Sequence, residues 1–276
     1  MRLFKPRTTP EQRQAKVARA LAKYGLKIDG VNIIEHETGK SLKAVRREIN
    51  SASKSGRVSG FITVALNAII PLPAGFTNPN NGTVHFQRRT GTVIRLHETV
   101  HGHDLIRTKI REMMQESIRK EDVSILTPLK YVKFKIEEFR VRSILEGRAK
   151  FCEKLAGKDR EEFSFFERMK FKLSANLEAA LFIITGSMAT ATLMKTFQNL
   201  NPIWMGLSLV TGGLAAWSAT MLAPYVQGMW FMEKINQKVK DSKEVLRVTA
   251  EQPPTAREVF LSPNTYLRRV LHEEQL

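Results

Sequence analysis

The chain has 276 residues, which is enough for one or two domains with a sizeable hydrophobic core. It contains a single cysteine, Cys152, so an internal disulfide and a structural zinc site made of several cysteines are both excluded. The formal net charge of +17 at pH 7 favours acidic partners, which include nucleic acid, anionic lipid and acidic proteins. The first residues, Met1 to Pro6, run directly into charged sequence without an apolar core, so we expect no secretory signal peptide there.

Residues 1 to 59 form a basic region that is predicted to be helical. Apolar residues recur at helical spacing after Pro10, which predicts an amphipathic helix that ends at Gly25. A second helix is predicted over residues 42 to 51. Its basic residues include Lys43, Arg46 and Arg47. They fit either phosphate contacts in a helix-turn-helix unit or a solvated or membrane-facing surface, and the second interpretation is favoured.

The next region is predicted to combine short strands with two long helices. Residues 60 to 76 are largely apolar, are interrupted by Pro71 and Pro73, and fit a strand or a buried segment. A polar turn over residues 77 to 82 precedes a short strand, Val84–Gln87. Apolar periodicity then predicts one helix over residues 91 to 114 and a second over Pro128–Ala156.

The first of these two helices contains the string His97-Glu98-Thr99-Val100-His101. Residues four positions apart lie on one face of a helix, so His97 and His101 can both direct an imidazole at one metal ion. Glu98 lies one position along, where its carboxylate can act as general base toward a water molecule. The pattern therefore predicts a zinc site with Glu98 as the catalytic residue.

A hydrolytic zinc site needs a third protein ligand and one open position. Glu146 on the second helix is the best candidate, because Gly147 after it lets that helix pack closely against the histidine helix. Glu137 and Glu138 are the alternatives for this ligand. In the competing interpretation, Glu138 pairs with Arg142 one helical turn along and Glu146 is an ordinary surface charge.

The His-Glu-x-x-His string and the Glu-Gly-x-Ala string that begins at Glu146 together resemble the gluzincin metallopeptidases, whose third ligand is a glutamate on a second helix. The resemblance covers residues 84 to 156. It implies a zincin-like fold, a bound Zn²⁺ ion and hydrolysis of peptide bonds, with His97, His101 and Glu146 as ligands and Glu98 as base. The Asn-Glu-x-x-x-Asp pattern of thermolysin-like members is absent, so the subfamily stays open, as does the choice between endopeptidase and exopeptidase.

Two polar residues after the second histidine are candidates for supporting roles. Asp104 can accept a hydrogen bond from a ligand histidine, and His103 can stabilise an oxyanion, although each equally fits an ordinary polar position. The remaining histidines, His36, His85 and His272, have no ligand-like spacing, and they are predicted to be structural or surface residues.

A long stretch with almost no charge follows. Between Ala179 and Met232 the only charged side chain is Lys195. This pattern predicts two membrane-spanning helices, over residues 173 to 194 and 203 to 225, whose small residues would let them approach closely. Basic residues flank the pair on both sides, which places the N-terminal and C-terminal parts in the cytoplasm. The alternative is a pair of buried helices in a soluble bundle.

The sequence thus predicts a mainly α fold with a small β portion, in which a zincin-like metallopeptidase domain is followed by a two-helix transmembrane hairpin. The predicted regions are a basic helical region over residues 1 to 59, the metallopeptidase domain over 60 to 158, a basic linker over 159 to 172, the hairpin over 173 to 232 and a cytoplasmic tail over 233 to 276.

The predicted function is that of a membrane-anchored zinc peptidase, whose partners are a peptide or protein substrate and the lipid bilayer. The alternative is a membrane-tethered nucleic-acid-binding or regulatory module with a non-catalytic metal site. Nucleic acid is the less favoured partner, and the sequence leaves the oligomeric state open.

Overall fold

The structure, a computed structural model, describes residues 8–52, 75–119, 128–199 and 201–273. This part of the chain is mainly α-helical with a small three-stranded mixed sheet, which confirms the predicted balance of helix and strand. The strand or buried segment predicted within residues 60 to 76 lies outside the described residues except for its last two residues, Gly75 and Phe76, which are in a strand.

Ten helices and three strands follow one another in these four described ranges. The helices are α1 (Pro10–Lys23), α2 (Gly39–Ala52), α3 (Thr92–Arg107), α4 (Ile110–Arg119), α5 (Pro128–Ala156), α6 (Phe165–Asn199), α7 (Pro202–Val239), α8 (Ser242–Glu251), α9 (Ala256–Phe260) and α10 (Pro263–Glu273). The strands are β1 (Ile33–His36), β2 (Gly75–Thr77) and β3 (Val84–Gln87). The bounds predicted for α5 and β3 are confirmed.

Local sequence signals explain where α1 begins and ends. Thr9 and Gln12 form a capping box, in which the Thr9 hydroxyl accepts from the Gln12 N–H and the Gln12 side chain accepts from the Thr9 N–H. Pro10 occupies the first turn, where a backbone N–H has no partner within the helix. Gly25 follows the helix with a φ of +85°, a left-handed conformation that glycine adopts without strain.

The single helix predicted over residues 91 to 114 is instead two helices, α3 and α4. Thr108 interrupts it with an extended backbone, at φ −124° and ψ 164°. Its hydroxyl donates to the Asp104 carbonyl oxygen at the end of α3 and accepts from the N–H of Ile110 at the start of α4. It thus supplies hydrogen-bond partners to backbone groups at both helix ends. The helix therefore breaks at Thr108, although the apolar residues recur at helical spacing on both sides of it.

The sheet has β3 at its centre, with β1 parallel to it on one side and β2 antiparallel on the other. β3 packs closely against α3, because a Cβ atom on Gly102 of α3 would lie 2.5 Å from a methyl group of Val84. β2 lies at the edge and ends at Thr77, whose hydroxyl reaches Glu98 on α3. The sheet thus supports the helix that carries both predicted ligand histidines.

The main hydrophobic core draws residues from both ends of the chain around α3 and α5. Its buried members include Val17 and Leu21 of α1, Leu96 and Val100 of α3, Phe151 and Cys152 of α5, Phe171 of α6, Phe231 and Ile235 of α7, Leu246 of α8 and Tyr266 of α10. The division of the chain into five regions stays a prediction. The basic N-terminal helix and the last helices nevertheless share one core with the ligand-bearing helices.

Two glycines let α5 and α7 cross at backbone contact. A Cβ atom on Gly147 would lie 2.5 Å from the carbonyl carbon of Gly228, and one on Gly228 would lie 1.9 Å from the Ser143 carbonyl oxygen. Neither position accepts a larger residue unless a helix moves. The crossing holds the C-terminal half of α7 against the part of α5 that contains Glu146.

α6 and α7 form a helical hairpin whose contact is partly polar. The hydroxyls of Thr192 on α6 and Thr211 on α7 are hydrogen-bonded at 2.6 Å, and those of Thr196 and Ser208 are also 2.6 Å apart. Many large apolar side chains of both helices are exposed instead of buried between them. The hairpin is therefore polar at these interhelical contacts and apolar over much of its outer surface.

The predicted membrane spans over residues 173 to 194 and 203 to 225 are wrong. Among the residues that the structure describes, no helix is both long enough and apolar enough to cross a membrane. The physical reason is that this stretch lacks charge but is rich in glycine, alanine, serine and threonine, which are much less apolar than leucine or isoleucine. Three further predictions depended on those spans and are withdrawn with them. They are the transmembrane hairpin, the integral-membrane location and the cytoplasmic placement of both ends.

Gly228→Ala is expected to lower the free energy of unfolding by about 1–3 kcal/mol or more, because its methyl group would overlap the Ser143 carbonyl oxygen. Gly212→Ala on the same helix is the matched control, since a Cβ atom there has no described atom within 4 Å. Urea denaturation followed by circular dichroism measures both changes. Equal losses of stability would show that α5 and α7 do not cross at this contact.

Candidate metal centre

His97 and His101 on α3 and Glu146 on α5 direct their donor atoms toward a common point. Nε2 of His97 lies 3.0 Å from Nε2 of His101 and 3.1 Å from Oε2 of Glu146, and Nε2 of His101 lies 3.4 Å from the same oxygen. The three side chains are 11 to 16% exposed. The structure therefore brings the three predicted ligands together in a largely enclosed position that solvent still reaches.

Glu153, also on α5, orients the first histidine. Its Oε1 lies 2.7 Å from Nδ1 of His97. This hydrogen bond keeps a proton on Nδ1 and directs Nε2 of His97 at the other two donors. Glu153 is held in turn by Lys150, whose Nζ donates to Oε2 at 3.2 Å, and its side chain is 1% exposed. A buried carboxylate thus fixes the orientation of one ligand ring.

The two carboxylates beside His97 set its protonation in the metal-free protein. Burial alone would lower the pKa of this imidazole, but the hydrogen bonds and negative charges of Glu146 and Glu153 raise that pKa to about 10. Burial would raise the pKa of Glu146, yet the charges of His101 and His97 and their hydrogen bonds lower it well below its usual range. At neutral pH the metal-free cluster therefore holds an imidazolium between two carboxylates.

Thr77 of β2 holds the carboxylate of Glu98. Its hydroxyl lies 2.8 Å from Oε2 of Glu98 and 2.9 Å from the backbone carbonyl oxygen of the same residue. A hydroxyl has one proton, so it donates to these two oxygens in alternation or shares the proton between them. Oε1 of Glu98 has no donor among the described residues, which leaves it available to a proton from water.

The C-terminal half of α7 and the N-terminal part of α6 lie beside the cluster. The ring of Tyr225 on α7 is nearly parallel to that of His97, with centroids 6.3 Å apart. Nζ of Lys150 lies 5.8 Å from the centroid of the Tyr225 ring and 3.2 Å from Oγ of Ser174 on α6. One buried lysine of α5 therefore contacts both helices of the hairpin beside the candidate metal centre.

The residues considered for supporting roles lie in a different network. Asp104 accepts hydrogen bonds from Nε and Nη2 of Arg148 at 2.7 and 2.8 Å. Nδ1 of His103 lies 3.1 Å from Oδ1 of Asp104. The carboxylate that pairs with Nδ1 of the candidate ligand His97 is that of Glu153, whereas Asp104 joins α3 to α5.

The two alternative third ligands form ion pairs within α5. Glu137 pairs with Arg140 at 2.7 Å, and Glu138 pairs with Lys135 at 2.6 Å. In the described part of the chain, His97, His101 and Glu146 are the one group of three or more histidine, cysteine or carboxylate side chains placed to hold a metal ion.

The donor set fits a divalent metal ion. In a tetrahedral site with bonds of about 2.0–2.2 Å, ligand atoms lie about 3.3 Å from one another. The three donor atoms are 3.0 to 3.4 Å apart. The local charge also favours a cation: when both histidines are neutral, Glu146 and Glu153 carry two negative charges, and Lys150, which donates to Glu153, carries one positive charge. A divalent cation compensates that excess.

Sequence analysis missed the residues that hold His97 and the carboxylate of Glu98. Glu153 follows Glu146 by two helical turns, so their shared face on α5 was a signal that could have identified it. No comparable signal exists for Thr77. It reaches Glu98 only because β2 pairs with β3 and this sheet packs on α3.

Comparison of the chain with known protein families, with curated proteins and with solved structures finds no significant match in any of the three. The similarity to gluzincins is therefore confined to the two short strings. The metal centre is inferred from the geometry of the described residues.

Metal affinity is expected to rise with pH by about tenfold per unit between pH 6 and 8, because a metal ion displaces the extra proton of His97. The sign follows from the pKa of about 10, which keeps the metal-free imidazole protonated throughout this range. Competition with a chelator of known affinity at several pH values measures the dependence. A pH-independent affinity would show that His97 is not a ligand.

Glu153→Gln is expected to weaken Zn²⁺ binding by about 10- to 100-fold, since the amide no longer holds the proton on Nδ1 of His97 as a carboxylate does. Glu138→Gln on the same helix is the matched control, because Glu138 pairs with Lys135 away from the cluster. Chelator competition on both variants measures the change. An unchanged affinity in Glu153→Gln would remove this residue from the metal centre.

Proposed function

We propose that this protein is a zinc-dependent peptidase, with His97, His101 and Glu146 as ligands and Glu98 as general base. The observation that carries the proposal is the convergence of the donor atoms of His97, His101 and Glu146. Glu98 follows His97 directly on the same helix, and Thr77 of β2 holds its carboxylate. Two imidazoles and one carboxylate form the ligand set of hydrolytic zinc sites that keep a fourth position open.

When bound, a zinc ion supplies Lewis acidity, which lowers the pKa of water and polarises the carbonyl group of a substrate. Glu98 takes up the proton from water on Oε1 and passes it to the nitrogen of the leaving amine. Thr77 holds Oε2 of Glu98, so the carboxylate keeps one orientation during both transfers. Glu153 keeps His97 in the tautomer that offers Nε2 as a ligand.

The surroundings of the cluster support hydrolysis rather than a purely structural metal site. A structural zinc site is closed by four protein ligands, whereas the described residues supply three. The ligand side chains also retain some exposure to solvent, so water can reach them. The two sequence strings that resemble gluzincins favour the peptide bond as the bond that is cleaved.

Glu98→Gln is expected to lower kcat for peptide hydrolysis by at least about a hundredfold, because an amide cannot accept the proton from water. Its zinc content and affinity should remain those of the wild type, since Glu98 is not one of the three ligands. Hydrolysis of a mixed quenched-fluorescent peptide library, together with metal analysis of the same samples, measures both properties.

Glu146→Ala provides the complementary variant, in which metal and activity are expected to be lost together. If Glu98→Gln cleaved peptides at the wild-type rate, Glu98 would not be the base. If the wild-type protein bound zinc at all three ligands but hydrolysed no peptide in the library, the centre would be a non-catalytic metal site and the proposed function would be wrong.

A further inference from the structure

We propose that Lys150 is a positioning residue of the metal centre, which restrains the two side chains that border the ring of His97. These side chains are Glu153 on α5 and Tyr225 on α7. The inference rests on the proposed function and assigns a role to a buried ammonium group outside the ligand set.

The first observation is the burial of a charged side chain. Lys150 is 3% exposed, and on α5 it follows Glu146 by four residues and precedes Glu153 by three, so the three share one helix face. A buried ammonium group costs free energy unless acceptors surround it. Nζ lies 3.2 Å from Oε2 of Glu153, 3.2 Å from Oγ of Ser174 and 3.5 Å from the Ser174 carbonyl oxygen. Acceptors on α5 and α6 therefore hold the ammonium group in one place.

The second observation is that the two oxygens of Glu153 have different partners. Oε1 lies 2.7 Å from Nδ1 of His97, whereas Oε2 accepts from Nζ of Lys150. The terminal torsion of a glutamate side chain is broad, so a hydrogen bond to one oxygen alone would let the carboxylate plane rotate. Because Glu153 is buried, water is not available to replace Lys150 at Oε2. Lys150 thus fixes the plane of the carboxylate that orients His97.

The third observation is the contact of the same ammonium group with the ring beside His97. Nζ of Lys150 lies 5.8 Å from the centroid of the Tyr225 ring, within the range of a cation–π attraction. The rings of Tyr225 and His97 are inclined by only 20°. Glu153 therefore restrains the edge of the imidazole and Tyr225 borders its face. One lysine contacts both of these neighbours.

This restraint matters because a metal bond from an imidazole is directional. The lone pair of Nε2 lies in the ring plane, so a tilted His97 ring no longer points at the position that His101 and Glu146 share. Loss of a hydrogen-bond partner from a ligand histidine lowers metal affinity by about 10- to 100-fold. Lys150 acts one contact further out, so its loss is expected to reach only the lower end of that range.

Lys150→Met tests the role, because it removes the ammonium group and keeps the apolar stem. It is expected to weaken Zn²⁺ binding by about tenfold and to shift the visible absorption bands of Co²⁺ bound in place of Zn²⁺. Lys154→Met is the matched control, since Lys154 lies one turn further along α5 and pairs with Glu233 at 2.5 Å. It is expected to keep the wild-type affinity and spectrum. Chelator competition on the full chain measures the affinities.

A double-mutant cycle with Glu153→Gln separates positioning from a general loss of stability. If Lys150 acts mainly through Glu153, Lys150→Met is expected to weaken Zn²⁺ binding by about tenfold in the wild-type background but by less than about threefold in the Glu153→Gln background. The residual loss is the part that acts through Tyr225. A lysine with a merely structural role would produce equal losses in both backgrounds.

Ser174→Ala is a milder variant for the case in which Lys150→Met does not fold. It keeps the buried charge pair and removes one acceptor of the ammonium group. It is expected to weaken Zn²⁺ binding by about threefold.

Three outcomes would overturn the proposal: wild-type affinity in Lys150→Met, equal losses in the two backgrounds of the cycle, or wild-type affinity in Ser174→Ala. Zn²⁺ affinity and the Co²⁺ spectrum are measured without a substrate, so these outcomes do not depend on hydrolysis. A coupled cycle in a protein that cleaves no peptide would contradict the proposed function alone. Peptide cleavage with an uncoupled cycle would contradict this inference alone.

Discussion

A buried ion pair between Asp104 and Arg148 determines how the two ligand-bearing helices lie against each other. Asp104 follows His101 by one turn of α3, and Arg148 follows Glu146 by two residues on α5. Both ionic side chains are fully buried, and Arg148 also donates to Thr249 on α8. Burial would raise the pKa of Asp104, but the charge of Arg148 lowers it to about 2. Removal of one partner from such a pair costs about 3–5 kcal/mol, so the relative position of the metal donors is tightly constrained.

The candidate metal centre depends on elements from both ends of the described chain rather than on one segment around the two strings. α1 and α10 contribute buried residues to the core that supports α3 and α5. The contact between Gly147 of α5 and Gly228 of α7 places the C-terminal half of α7 beside the candidate ligands. The basic N-terminal region therefore has a structural role in addition to any contact with acidic partners. Its charges include Lys16 and Arg19, which pair with Glu167 and Glu162 near the start of α6.

The hairpin illustrates why a lack of charge is different from strong apolarity. Glycine, serine and threonine interrupt its aliphatic residues, and the structure contains no helix that could span a membrane among the residues it describes. The small residues were expected to allow close approach of α6 and α7. Instead, a Cβ atom on Gly186, Gly206 or Gly212 would meet no described atom within 4 Å. The close glycine contact lies between α5 and α7, at Gly147 and Gly228.

The sequence by itself determined the features that depend on neighbouring residues. The capping box and Gly25 bounded α1, and the four-residue spacing of His97 and His101 placed both imidazoles on one face, because helical geometry is set by local hydrogen bonds. The sequence also ranked Glu146 first among three glutamates, but only the tertiary structure brought its oxygen to 3.1 Å from His97. The hydrogen bond from Thr77 to Glu98 likewise joins separate elements. Such contacts depend on side-chain packing from the whole chain, which no local pattern encodes.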